Sequence, residues 1–374
     1  MSSKNIIAAN YRALVADFPL VSALVALWYT VKLEMGARTA GTGSARMQNR
    51  FLNLTSGVAM VVSDLHGDRD AFDRCLAQFS SLYWRGEAQR LIFLGDLIHS
   101  SGAPEDDASL SMVLDLIALR KQLNVDNVIL LLGNHEMPHI YGVSLAKGHA
   151  EFTPRFEHAL GPHREHVLAF FDSLPFIVRT AAGVMLAHAG PAPDAIAHAT
   201  KLQYFDHQAI LQAADQTLSQ TEDLEPLYQQ YQAIYNLSYA ELARHYLAVE
   251  GPDDPRYPHL LRAFMIGRQN TQFDLLWDLL FSNNEMGQSP AAYLTMCERF
   301  LSAFALSGPG EQRVIVSGHI ATPNGHEVVN RAHLRISSAA HAQPREAGQY
   351  LLFDCARPIR STEELLDGLR SVFD

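Results

Sequence analysis

Val58-Ala59-Met60-Val61-Val62-Ser63-Asp64-Leu65-His66-Gly67 decides the fold. Five apolar residues without a charge read as a short strand buried on both faces, the kind that builds parallel sheets. The turn behind it carries a carboxylate and an imidazole two positions apart, and Gly67 closes it. The pattern then recurs along the chain. Leu91-Ile92-Phe93-Leu94 leads into Gly95-Asp96, Val128-Ile129-Leu130-Leu131-Leu132 into Gly133-Asn134-His135-Glu136, and Val184-Met185-Leu186-Ala187 into His188. Val314-Ile315-Val316 is followed by Gly318-His319. Each run predicts a buried parallel strand. Ligands of open α/β sheets sit at the carboxyl ends of strands, so these polar residues are expected together at one rim.

The residues also make a coherent chemical set. Asp64, His66, Asp96, Asn134, His188 and His319 offer the oxygen and nitrogen donors of hard-to-borderline divalent metals. Six ligands hold two ions if one carboxylate bridges them, and Asp96, ending the second run, is the choice for the bridge. A two-metal clamp holds its ions about 3.5–4 Å apart, a span one carboxylate covers. Such a pair generates hydroxide from a bridging water near neutral pH and polarises phosphoryl oxygens for in-line attack. The leaving alkoxide needs a proton. His135, beside Asn134, is the candidate general acid because imidazole titrates near the working pH. Manganese, iron, zinc and magnesium all suit this donor set.

The ordered series resembles the calcineurin-like metallophosphoesterase superfamily, and Asn-His-Glu points to its phosphoprotein phosphatase-like branch, bacterial type. That branch reads Gly-Asp-x-His-Gly, Gly-Asp-x-Val-Asp-Arg-Gly, Gly-Asn-His-Glu, His-Gly-Gly and a late lone His. Ser63–Gly67, Gly95-Asp96-Leu97-Ile98-His99-Ser100, Gly133–Glu136, His188-Ala189-Gly190-Pro191 and Gly318-His319 stand in those places. Ile140-Tyr141-Gly142, Leu174-Pro175, Leu275-Leu276-Trp277-Asp278 and Ser337-Ser338-Ala339-Ala340 add secondary matches, so the likeness runs over roughly 57–356. It implies Asp64, His66 and Asp96 on one metal, and Asp96, Asn134, His188 and His319 on the other. Ala321 stands where the wider superfamily often has a further metal-binding His. Glu136 is expected to hold its loop by hydrogen bonds rather than bind metal.

The chain departs from the branch at two places. The Asp that orients the general acid is replaced by His99, and the adjacent phosphate-gripping Arg by Ser100. Asp106 or Asp107 is a candidate for the missing carboxylate. Arg268, in Met265-Ile266-Gly267-Arg268-Gln269-Asn270, is the candidate for substrate binding in place of the lost arginine. His139, His149, His158, His163, His166 and His198 read as ordinary core or surface imidazoles, since none follows a strand with ligand spacing.

With 48% hydrophobic residues the chain has material for a sizeable core, and its net charge of −11 argues against a basic nucleic-acid footprint. Bound metal supplies local positive charge, so the acidity does not exclude phosphate chemistry. Cys75, Cys297 and Cys355 are scattered without metal spacing, which fits a reducing cytoplasm. Residues 1–50 are expected to form a helical extension, Leu20, Leu24, Leu27 and Val31 sharing one face, with a linker over 36–44. The apolar part of that extension is too short to span a bilayer. The body is expected over 51–374, as an α/β two-sheet sandwich flanked by helices. Gln-rich, acidic, strand-free sequence over about 194–305 predicts a helical cap. Glu327–Val329, His333–Ser337 and Gln349–Phe353 are expected to complete the second sheet, and Thr362–Phe373 a closing helix.

The function expected is hydrolysis of phosphomonoesters, from phosphoproteins or small phosphate esters, by attack of a metal-bridging hydroxide. A nucleotide or dinucleoside polyphosphate hydrolase is the alternative enzyme. A non-catalytic binding scaffold is the alternative of another class, weakened by the retention of all six ligands.

Overall fold

The computed structural model describes residues 49–147 and 150–374. The helix and linker expected before residue 49, and His149, lie outside the described residues. Two sheets form the body. The first runs in the order β15-β14-β2-β3-β4, with β2 (Val58–Val62), β3 (Arg90–Phe93), β4 (Val128–Leu130), β14 (Gln349–Asp354) and β15 (Leu369–Ser371). The second runs β1-β7-β8-β9-β12-β11, with β1 (Phe51–Leu54), β7 (Ile177–Thr180), β8 (Val184–Ala187), β9 (Val314–Ser317), β11 (His326–Asn330) and β12 (His333–Ile336). Two-residue strands make two small pairs, β5 (Ala146–Lys147) with β6 (Ala150–Glu151) and β10 (Thr322–Pro323) with β13 (Ala342–Gln343).

Side-chain alternation explains the apolar runs of the central strands. Ala59, Val61, Ile92 and Ile129 point to a layer they share with Val178, Leu186, Val316 and Leu334 of the other sheet. Met60, Val62, Leu91, Phe93 and Leu130 point outward, into the core roofed by helices. Each such aliphatic side chain, fully buried, contributes roughly 1.5–3 kcal/mol. A charge in a strand covered on both faces must be buried, a cost that only partners offset.

The parallel reading holds for β2, β3 and β4 among themselves and for β8 beside β9. It does not extend to every neighbour, because β2 lies antiparallel to β14 and β8 antiparallel to β7. Gln349–Phe353 therefore joins the first sheet, not the second, with Leu351 paired to Val61 and its side chain in the inter-sheet layer. The closing helix over 362–373 is corrected too. Only α14 (Glu363–Leu366) is helical, and β15 follows it. A Cβ on Gly368 would lie 2.1 Å from the carbonyl oxygen of Leu352, a contact that marks where the chain turns back against β14.

Helix α1 (Arg69–Trp84) starts at Asp68, whose carboxylate caps Ala71 N at 3.0 Å. It buries Phe72, Cys75, Leu76 and Phe79 at helical spacing. α2 (Ser109–Leu123), α3 (Met137–Tyr141), α4 (Phe152–Leu160) and α5 (Arg164–Asp172) complete the set before β7. Between β8 and β9 the chain is helical: α6 (Pro193–Ala197), α7 (Ala199–Gln203), α8 (His207–Gln220), α9 (Glu225–Tyr235), α10 (Tyr239–Leu247), α11 (His259–Gln269), α12 (Thr271–Phe281) and α13 (Pro290–Phe304). This stretch is not uniform. Leu218, Tyr239, Leu242, Leu247 and Leu260 form a core of their own, whereas Ile210, Leu276, Leu280, Phe300 and Phe304 belong to the main core. All three cysteines are buried free thiols, and among the described residues no helix is long and apolar enough to cross a membrane.

Candidate metal centre

The loops behind β2, β3, β4, β8 and β9 converge, and backbone hydrogen bonds stitch them together. Leu65 N and His66 N donate to Asp96 O at 3.0 Å, Gly67 N to Leu97 O at 2.8 Å, and Gly318 N to His188 O at 3.0 Å. The loops pack so closely that two glycines are required. A Cβ on Gly133 would sit 2.3 Å from Asp96 Oδ1, and one on Gly318 would sit 2.0 Å from Asp64 Oδ2. Asp96 itself has φ +52° and His66 φ +46°, left-handed values that point their side chains into the cluster.

Asp96 is central. Its Oδ2 lies 3.6 Å from His66 Nε2, 3.6 Å from His188 Nε2 and 4.0 Å from His135 Nε2, while Oδ1 accepts the backbone N–H of His135. Asp64 is fully buried and accepts His319 N on both oxygens at 3.0 Å. Asp96, His188 and His319 can place one ligand atom each within 4.8 Å of one another, and so can Asp64, His66 and His341. A third such group, His66, Asp96 and His135, lies between them. The structure thus brings all six expected ligands and His135 to one rim. Glu136 holds the loops, as expected, accepting Asp96 N and Gly133 N on Oε2 and Leu97 N on Oε1.

Two observations test whether these residues fit a cation. His188 Nδ1 lies 2.9 Å from the Leu94 carbonyl, which only accepts, so the ring proton is on Nδ1. Its Nε2 lone pair then faces Asn134 Oδ1, another acceptor, at 2.7 Å. Two lone pairs meeting beside the Asp96 carboxylate make a cradle for a positive ion. His66 repeats the design, with Nδ1 on the Ile98 carbonyl at 3.1 Å and Nε2 toward Asp96. Second, the buried Nδ1 of His341 has no hydrogen-bond partner and lies 3.5 Å from Asp64 Oδ1. The residues fit divalent ions.

Electrostatics agree. Burial pushes His66 down to about 4 and His319 down to about 3, each helped by neighbouring imidazoles. Both are therefore neutral near pH 7, the form that ligates metal. Burial, with Glu136 and Asp64 close by, raises the Asp96 carboxyl well above its ordinary value. A bound cation removes that cost.

Some residues stand elsewhere than the sequence suggested. Arg268 is exposed on α11, its guanidinium 5.0 Å over the ring of Phe264 one turn back. No hydrogen bond or ion pair links it to the cluster among the described residues; it stands in the last turn of its helix. Asp106 is exposed, and Asp107 is engaged by Ser109 and lies 3.6 Å from Arg155, so neither orients His135. His135 instead meets His99, with 2.9 Å between their Nδ1 atoms. His139, read as an ordinary imidazole, is 1% exposed and lies 2.7 Å from His99 through Nε2. His158, His163 and His166 are exposed. Sequence reasoning also missed His341 and Arg155, whose Nη1 donates to the carbonyls of Ser100 and Gly102 at 3.0 Å. His341 had one signal: it follows the Ser337–Ala340 segment, behind a strand parallel to β9.

An α/β sandwich with aspartates and histidines gathered around one shared carboxylate at its strand ends is the architecture of a metal-dependent hydrolase. The chain belongs to the calcineurin-like phosphoesterase family, whose model matches residues 58–255. It is a metallophosphoesterase. No curated protein matches the chain significantly. Among solved structures it is similar to a serine/threonine phosphatase from Saccharomyces cerevisiae with similarity to human phosphatase PP5 (15% identity, 82% of this chain and 76% of that one, TM-score 0.45). It is also similar to a cold-active protein-tyrosine phosphatase of a psychrophilic Shewanella species (17%, 90% and 87%, TM-score 0.44). A metallophosphoesterase from Sphaerobacter thermophilus gives 12%, 79% and 82%, with a TM-score of 0.30.

Proposed function

We propose that the chain hydrolyses phosphomonoesters at two divalent ions. Asp64, His66 and Asp96 hold one, joined by His341, and Asp96, Asn134, His188 and His319 hold the other. The observation that carries this reading is the convergence of His66 Nε2 and His188 Nε2 on the same Asp96 oxygen, 3.6 Å each. When bound, such a pair of ions activates water near neutral pH and polarises the phosphoryl oxygens. The chain's own residues do the rest. His135, with Nε2 turned to the cluster, donates a proton to the leaving alkoxide. Arg155, anchored on the backbone of the loop where the family has its arginine, covers the outward phosphoryl oxygens. The helical insertion, with its separate core, acts as the cap that selects substrate.

Turnover of an aryl phosphate tests the proposal. Chelation should abolish it, added manganese should restore it, and Asp96→Asn should remove nearly all of it at any metal concentration. Full turnover by metal-stripped protein sinks the reading.

A further inference from the structure

The loss of the carboxylate beside His135 leaves a question that the packing of α4 answers. Glu157 is 3% exposed and accepts from Arg164 Nε at 2.9 Å on Oε2. Its Oε1 lies 2.8 Å from His139 Nδ1. Burial works against its ionisation, yet the bonds and charges of His139 and Arg164 pull it below the ordinary carboxyl value. An ionised carboxylate only accepts, so His139 carries its proton on Nδ1. If the ring carries only that proton, the Nε2 of His139 is an acceptor, and His99 donates to it from Nε2 across 2.7 Å. That leaves the Nδ1 of neutral His99 as acceptor, and His135 must donate from Nδ1 across 2.9 Å. With one proton on each ring, the Glu157 end orders the whole row.

We propose that His99, His139 and Glu157 form a hydrogen-bonded chain that anchors His135 through its Nδ1–H and turns Nε2 to the cluster, where Nε2 takes up a proton from water and passes that proton to the leaving oxygen, the ring returning to its Nδ1–H form. Two imidazoles and a remote carboxylate thus replace the single carboxylate of the family's usual arrangement. His99, His139 and Glu157 are positioning residues, since none faces the reacting atoms. The surroundings suit the role. Phe152 stacks on His99 at 5.4 Å and 9°, and Phe156 packs on both His99 and His139, 5.8 and 4.8 Å away. A dry aromatic sleeve strengthens each bond and excludes competing water. His99 is also held at φ +74°, its N–H donated to Ser109 Oγ, a left-handed conformation that costs of order 1–3 kcal/mol and persists only where the surroundings enforce it.

The inference rests on His135 as proton donor, and the experiment separates the two claims. Proton-detected nitrogen NMR of the histidine-labelled protein should show His139 and His135 protonated on Nδ1 and His99 on Nε2. Glu157→Gln and His139→Phe, the latter keeping a ring in the core, should each lower kcat on an alkyl phosphate at least about tenfold, within the range of general-acid help. KM and metal content should stay unchanged, and nitrophenyl phosphate, whose leaving group hardly needs a proton, should be affected far less. His99→Asp, which puts a carboxylate directly beside His135, should make activity insensitive to Glu157→Gln. His135→Asn tests the donor itself on the same two substrates; equal losses there reject the donor reading, while the NMR tautomers still decide the chain. Wild-type kcat in Glu157→Gln and His139→Phe, or His139 protonated on Nε2, overturns the proposal.

Discussion

At the scale of single residues, geometry outweighs residue type. Arg268 and Arg155 are both arginines before the last ligand, and sequence position favoured the first. The structure separates them: Arg268 stacks on Phe264 at the surface, whereas Arg155 donates to the backbone of Ser100 and Gly102, beside His99. Arg155→Ala should raise KM for a phosphomonoester by about tenfold, equivalent to about 1.4 kcal/mol of lost phosphate binding. Arg268→Ala should leave KM at the wild-type value. Steady-state kinetics on both variants check the pair, and a raised KM in Arg268→Ala alone reverses the assignment. Glu157 shows why such residues escape a sequence reading. It lies among Phe152, Phe156 and Leu160 of one helix, and nothing in the order of residues says that its partner is a histidine 18 positions earlier.

At the scale of elements, the strand-then-loop unit carries the site. Gly133 has no room for a side chain, since a Cβ would stand 2.3 Å from Asp96 Oδ1 and 2.4 Å from Asp96 N. Gly133→Ala should therefore displace the Asp96 carboxylate and lower metal content while the circular dichroism of the fold is retained; metal analysis of the purified variant, with wild-type content as the contrary result, decides it. Such units were legible because their signals are local. Val58–Val62 and Val184–Ala187 are strands over the same residues that the apolar runs marked, and helix α1 begins behind the cap that Asp68 provides. Two strands without a continuous apolar run, β1 and β7, were not legible. β1 carries Asn53 and β7 carries buried Arg179, whose Nε donates to Asn53 Oδ1 at 2.9 Å, so two polar residues satisfy each other across neighbouring strands and hide both elements. Pairing partners are equally hidden: nothing in Gln349–Phe353 distinguishes β2 from β12 as its neighbour.

At the scale of the molecule, the second sheet is tied to the helix packed on it by buried polar groups as well as by apolar contacts. His333 in β12 is fully buried between Tyr293 OH at 3.0 Å and Ser317 Oγ at 2.8 Å, joining α13 to β9. Burial, reinforced by the charge of Arg335, pushes its imidazole down to about 3. The unfolded chain takes up this proton near pH 6.5, the folded one only near 3, so this contribution to stability is present above about 6.5 and lost as the pH falls toward 3. Each pH unit in that window costs up to about 1.4 kcal/mol. Urea unfolding of chelated protein should thus weaken from pH 6.5 to 5 more steeply in the wild type than in His333→Gln; equal slopes would contradict it.

The central claim is that Asp96 joins two metal ions, and a bridged pair has a signature that isolated ions lack. Electron paramagnetic resonance of the protein titrated with manganese tests it most directly. Two ions per chain at saturation, with the spectrum of an exchange-coupled pair, are expected, and in Asp96→Asn the loss of that coupling. A spectrum of isolated ions at every occupancy of the wild-type protein, or saturation at one ion, would contradict it.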